Sequence, residues 1–194
     1  MNKDILICGV GGQGTVLASK ILAAAAMDEG NAVHSAETIG MAQRGGSVTS
    51  HVRIGEEAYS PLIPLGSADI LLAFEPAEAV RCLKYLKPDG TAIVNTAATK
   101  PVTESLSESG YDGAKMVEYL KTKCACLFVD ANEVCAPFGS TKFFNIILLG
   151  IAAGSGKLGI GEETIKRQIE KRVPPKFKDL NLQAFNAGYE YGKK

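Results

Sequence analysis

At 194 residues the chain is long enough to bury one full hydrophobic core, and its 21 Lys and Arg cancel its 21 Asp and Glu, so no net charge favours wrapping nucleic acid or lying on an anionic membrane. No charged-then-apolar leader opens it, and the longest apolar stretch, Phe143 to Ala153, is interrupted by Asn145 and falls short of the roughly 20 residues a spanning helix needs. A soluble, cytoplasmic protein is expected. The first predicted strand is Asp4 to Cys8, followed by Gly9-Val10-Gly11-Gly12-Gln13-Gly14 and a helix to about Glu29. The G-x-G-x-x-G spacing, with Gly12 added inside it, stands between strand and helix as a dinucleotide fingerprint does. Glycine tolerates positive φ and lets backbone N–H groups approach a ligand, and Thr15 opens a helix whose N-terminus carries partial positive charge. A tight turn with nothing bound is equally compatible with that spacing. The helix is apolar nearly all round, with Leu17, Ile21, Leu22 and four consecutive alanines, and is expected between the sheet and a second covering element.

A second strand, Ala32 to Ala36, leads to Glu37, about 20 residues beyond the glycines, where a dinucleotide fold carries the acid that binds ribose hydroxyls. A plain βαβ unit would continue with a helix; this chain continues with a second glycine loop, containing Gly40, Gln43, Arg44, Gly45 and Gly46. Gly45 and Gly46 keep the backbone approachable. Arg44, with Gln43 beside it, offers a forked donor set to a phosphate or carboxylate, or else pairs with Glu37 or Glu75 inside an interface. Ser47 to Ile54 is the next strand, and Gly55-Glu56-Glu57 before Ala58 to Ser60 predicts a hairpin over Ser47 to Ser60, and with it a mixed sheet. Asp69 to Phe74 is a strand closed by Glu75-Pro76, which suits a helix cap and first turn. Further strands are Thr91 to Asn95 and Cys126 to Val129, separated by a polar loop over Ala97 to Gly113 and a helix over Lys115 to Thr122. Three helical patterns close the chain, Asn145 to Ala153, Glu162 to Arg172 and Leu180 to Tyr191, with Pro174-Pro175 between the last two. The alternation of strands and helices defines an α/β fold with a helical C-terminal extension. The basic residues Lys166, Arg167, Lys171, Arg172, Lys176 and Lys178 are interleaved with Glu162, Glu163 and Glu170, the pattern of a solvated helix face.

Five cysteines, Cys8, Cys82, Cys124, Cys126 and Cys135, show no repeated C-x-x-C spacing, which argues against a disulfide framework, a zinc ribbon or an iron–sulfur site. Cys124-Ala125-Cys126 leads into an apolar run and reads as a pair of small hydrophobes in preference to a metal or redox pair. His34 and His51 lie in strand-like surroundings at core or edge positions. No side chains form an evident nucleophile and base, so no catalytic residue and no metal ligand is assigned.

The motifs "GVGGQG" at Gly9 to Gly14, "GMAQRGGSVTSHVRIG" at Gly40 to Gly55, "SPLIPLGSADILLAFEPAEAVR" at Ser60 to Arg81, "NIILLG" at Asn145 to Gly150 and "NLQAFNAGY" near the end run in order over nearly the whole chain. In this the sequence resembles the gamma subunit or domain of the 2-oxoacid:ferredoxin oxidoreductases, and most nearly the small beta subunit of the indolepyruvate branch. The resemblance implies a three-layer αβα sandwich with a Rossmann-like mixed sheet, one gamma-type catalytic domain over residues 1–194. It also implies a complex that converts a 2-oxoacid and coenzyme A (CoA) to acyl-CoA, CO2 and reduced ferredoxin. Thiamine diphosphate, magnesium and 4Fe–4S clusters would then sit on a larger alpha subunit, with ferredoxin reached through the complex and no cofactor held tightly by this chain. Within such a complex Gly9, Gly11, Gly12, Gln13, Gly14, Thr15, Glu37, Gln43, Arg44, Gly45 and Gly46 would face CoA phosphate or the partner's active site. A free-standing NAD-binding dehydrogenase and a nucleotide-sensing module are the rival readings.

Overall fold

The computed structural model describes residues 1–38, 45–99 and 110–194. Six strands, β1 (Lys3–Val10), β2 (Val33–Glu37), β3 (Ser47–Ile54), β4 (Ala68–Ala73), β5 (Leu86–Asn95) and β6 (Ala125–Val129), form one sheet in the order β2-β3-β1-β4-β5-β6. β1, β4, β5 and β6 are parallel, while β3 runs antiparallel to both β1 and β2. The sheet is mixed, as expected, though not through the predicted hairpin. Both edges of β3 are already paired, to β1 from Val10↔Ser47 through Lys3↔Ile54 and to β2 from Val33↔Ile54 through Glu37↔Ser50, which leaves no ladder for Ala58 to Ser60. The chain instead crosses to β4 as a loop containing Pro61 and Pro64, residues with no N–H to give a strand.

Alternation along the strands separates two cores, because successive side chains point to opposite faces. Ile5 and Ile7 of β1, Ile70 and Leu72 of β4 and Ile93 of β5 face one layer of helices. That layer contains α1 (Thr15–Asp28), α5 (Phe144–Gly154), α6 (Glu162–Arg172) and α7 (Lys178–Gly192). Leu6, Cys8, Leu71, Ala73, Ala92 and Val94 face the other, built from α2 (Pro76–Cys82) and α3 (Gly113–Lys121). A short helix the sequence did not announce, α4 (Ala131–Cys135), follows β6 directly.

Every residue of α5 from Phe144 to Ala152 is buried. Its outer side is closed by α7 through two glycine pairs at matching spacing. A Cβ at Gly150 or Gly154 would fall 2.2 or 2.1 Å from the carbonyl oxygens of Phe185 or Tyr189, and one at Gly188 or Gly192 would fall 2.1 or 2.2 Å from those of Ile147 or Ile151. The two helix backbones therefore touch directly. α1 is fixed to α6 by Gly161 N–H donating to Glu29 Oε1 at 2.8 Å and by Gln168 donating to Asp28. The basic residues of α6 are largely engaged on its surface as expected: Lys166 pairs with Glu162 and Glu163, and Lys171 lies 3.6 Å from Asp28. Among the described residues no single helix is long and apolar enough to cross a membrane.

Candidate functional site at the sheet edge

The parallel strands end at one edge, where α/β sheets gather ligands, and the glycine loop lies across it. Gly12 and Gly14 hold φ of 102° and 85°, so the positive-φ requirement falls on them and not on Gly9 or Gly11. Gly9 is needed for close approach: a Cβ there would lie 2.7 Å from Gln13 Oε1 and 2.8 Å from Phe74 Cβ. Gln13 acts as a strap. Its Oε1 accepts from Val10 N–H at 2.7 Å, and its Nε2 donates to the Phe74 carbonyl at 3.1 Å and toward Thr99 Oγ1 at 3.4 Å. Gly11 N–H is likewise engaged, by the Gly46 carbonyl at 2.8 Å, while Gly45 N–H returns to the Gly11 carbonyl at 3.3 Å. The second glycine motif is thus joined to the first, as a continuation of the β1–β3 ladder. Gln43 and Arg44 lie outside the described residues.

Other buried polar groups fix the edge. Asn95 Nδ2 donates to the carbonyls of Phe74 (2.9 Å) and Ala97 (3.2 Å), and its Oδ1 accepts from Ala97 and Ala131 N–H, both at 3.0 Å. One amide so ties the ends of β4, β5 and β6 together with its hydrogen-bonding capacity filled. Glu75 caps α2 by accepting from Glu78 N–H at 3.0 Å, as its position before Pro76 implied, and also accepts from the Tyr111 hydroxyl. Burial first, and then the Glu75 carboxylate, raise the Tyr111 phenol well above its ordinary value and keep it a donor. Glu78 accepts from Ser47 Oγ and from Arg81 at 2.8 Å. Glu37 stands at the end of β2 with Ser19 Oγ donating to its Oε1 at 2.8 Å, so one oxygen of the acid that the sequence offered for ribose hydroxyls is already engaged within the chain.

The glycine loop separates two hollows. One, of about 430 Å³, is lined by Gly12, Gln13, Gly14, Asn132, Lys142 and Asn145, among others. The second, of about 490 Å³, is bounded by Gly11, Gly12, Gly14, Thr15, Lys20 and Thr38. Each has a lysine at its rim and backbone from the loop in its wall, and the first turn of α1 has no side-chain cap. The arrangement suits a phosphate or carboxylate. Asn95, Asn132, Lys142 and Asn145 were not picked out as site residues from sequence. The sequence signal for two of them is an Asn closing an apolar strand or opening an apolar helix. Asn145 is placed by its neighbour: the Phe144 ring meets Phe74 edge-on at 5.8 Å, and this sets Asn145 Nδ2 against Gly14, where a Cβ would come within 2.7 Å.

The chain is thus a Rossmann-like α/β domain whose glycine loop, joined to Gly45 and Gly46, lies at the carboxyl edge of the sheet and is braced by buried amides and carboxylates. The family described as "Pyruvate ferredoxin/flavodoxin oxidoreductase" matches residues 4–191, and the chain belongs to it, as the small subunit of a 2-oxoacid ferredoxin oxidoreductase. It is 39% identical over 191 residues to "Indolepyruvate oxidoreductase subunit IorB" of Archaeoglobus fulgidus, covering 97% of this chain and 94% of that one. Its fold matches that of a keto/oxoacid ferredoxin oxidoreductase gamma subunit from Geobacter sulfurreducens, with a TM-score of 0.72 at 24% identity and 98% of each chain covered. It also matches part of the 2-oxoglutarate:ferredoxin oxidoreductase of Magnetococcus marinus solved with 2-oxoglutarate, coenzyme A and succinyl-CoA, with a TM-score of 0.73 at 19% identity over 99% of this chain and 31% of that one.

Proposed function

We propose that the chain is the small subunit of a cytoplasmic, thiamine-diphosphate-dependent indolepyruvate or arylpyruvate:ferredoxin oxidoreductase. The complex converts a 2-oxoacid and CoA to acyl-CoA and CO2 while reducing ferredoxin. The observation that carries this reading is the near-full-length identity to an indolepyruvate oxidoreductase subunit. Thiamine diphosphate, magnesium and 4Fe–4S clusters are assigned to a larger alpha subunit. Among the described residues no three His, Cys, Asp or Glu side chains come together as a metal site. This chain's part is to present the glycine edge, with Lys142 or Lys20 and with Gln43 and Arg44, to a CoA phosphate or to the active-site region of the partner. The Magnetococcus enzyme, which shares this fold over part of its length, was solved with CoA bound, and CoA is the anion proposed on that ground.

The test is co-expression with the larger subunit, purification of the complex without oxygen, and an assay with an arylpyruvate, CoA and a one-electron acceptor. Acceptor reduction that requires both the arylpyruvate and CoA is expected. A complex that turns over pyruvate or a branched-chain 2-oxoacid in preference, or that needs no CoA, overturns the reading.

A further inference from the structure

The carboxyl end of α3 and the start of β6 bring two thiols together at the sheet's outer edge. Cys124 closes the turn after α3, its N–H donating to the Leu120 carbonyl at 3.3 Å, and Cys126 lies two residues on in β6, paired with Ala92 of β5. Among the described residues β6 is the last strand of the sheet, with no strand on its far side. The two sulfurs are 3.2 Å apart, each within 3.9 Å of the Leu120 carbonyl oxygen, and both residues are half-buried. We propose that Cys124 and Cys126 form a reversible disulfide, a redox modification site independent of the glycine edge.

The geometry is close to what the bond needs. Two residues apart in an extended chain, Cα atoms lie about 6.6 Å apart, inside the roughly 4.4–6.8 Å range of disulfides, and the sulfurs need approach by only about 1.2 Å. A closed zinc site is not available to this pair, since it demands four ligands and no third metal-binding side chain joins it among the described residues. The other neighbouring thiols, Cys8 and Cys82, are sealed between β1 and α2 at 0% and 3% exposure, out of reach of an oxidant.

The oxidant is a small disulfide of the glutathione class. The Cys124 thiolate attacks one of its sulfurs, forming a mixed disulfide and releasing one thiol. Cys126 then gives up its proton and attacks the Cys124 sulfur, releasing the second. Two electrons pass from the cysteines to the oxidant, and their two protons end on the released thiols. The order follows from the surroundings. Burial, and then Cys124 itself, push the Cys126 thiol up to about 12; Cys124, in the turn ahead of the strand, makes the first attack, and the 3.2 Å separation of the sulfurs puts Cys126 in reach of the resulting adduct.

The full chain, reduced anaerobically and equilibrated with oxidised glutathione, is to be alkylated under denaturing conditions and mapped by mass spectrometry. Expected is the joint loss of two of the five alkylatable thiols, with Cys124 and Cys126 in one peptide lighter by two hydrogens and restored by dithiothreitol. Cys126→Ser should trap Cys124 as a stable glutathione adduct, and Cys8→Ser should leave the oxidation unchanged. Five alkylatable thiols after equilibration, a persistent Cys124 adduct in the unaltered chain, or pairing of Cys8 with Cys82 in its place would each overturn the proposal. The unaltered chain decides the matter even if a serine variant folds poorly.

Discussion

Gln13 and Asn95 donate to the same acceptor, the Phe74 carbonyl oxygen, at 3.1 and 2.9 Å, so the end of β4 holds both the glycine loop and the end of β5. Asn95→Ala strands the buried Ala131 N–H and the half-buried Ala97 N–H; at roughly 1–3 kcal/mol for each lost partner, a stability loss of about 3 kcal/mol is expected in chemical denaturation. Lys142 is exposed, and at the rim of its hollow it packs against little. Lys142→Gln should leave the melting temperature of the lone chain unchanged and raise KM for CoA in the complex about tenfold, the low end of the roughly 1.5–3 kcal/mol of a charged hydrogen bond. An unchanged KM would place CoA elsewhere. His51 behaves differently. Its Nδ1 accepts from Ile63 N–H at 3.1 Å, and burial, then Arg53, lower its pKa, with Asp4 opposing. Because the folded state disfavours the proton, this contribution to stability is complete above about pH 6.5, the ordinary value for histidine, and is lost as the pH falls through the lowered folded value. Denaturation midpoints measured between about pH 7 and 5 should fall in the parent chain, and the slope should flatten in His51→Asn.

Elements differ in how far the sequence announced them. The strands of the parallel half were legible because each contains a short apolar run, α1 because it is apolar nearly all round behind a glycine loop, and α6 and α7 because their apolar spacing is intact. Glu75-Pro76 gave the start of α2 for the same local reason. What failed was pairing. Ser47 to Ile54 looks like the first arm of a hairpin until β1 and β2 occupy both its edges, a non-local fact that no window of residues contains. In the site, glycine spacing located the turn between β1 and α1, but the roles of Gln13 as a strap and of Asn95 as a clamp depend on partners up to 86 and 36 residues away. The glycine pairs of α5 and α7 were equally silent, since Gly150 and Gly188 become meaningful only when the two helices cross. Gly188→Ala puts a methyl where the Ile147 carbonyl oxygen stands, so the helices must separate; a loss of about 2 kcal/mol, within the usual range for overpacking, is expected in thermal melts. Asn186→Ala, on the exposed side of the same helix, serves as the control and should be within about 0.5 kcal/mol of the parent.

As a whole molecule the chain has a complete core and a site whose walls are only partly chemical. The purified single chain is therefore expected to fold, to contain no stoichiometric iron and to show no 2-oxoacid oxidation, with turnover appearing when the larger subunit is added; turnover by the single chain at high purity would sink the subunit assignment. The burial of α5 also bears on how the protein is made. A ribosome extruding the chain in order delivers Phe144–Gly154, a helix with no side fit for water, before Lys178–Gly192 exists to cover it. Until Lys178–Gly192 leaves the exit tunnel the nascent chain carries an exposed greasy rod, a target for holding chaperones and for self-association. Premature termination inside α7 should accordingly yield aggregated or degraded protein and not a shortened working subunit, and a bulky fusion placed close after Gly192 should be harder on yield than one placed before Lys3.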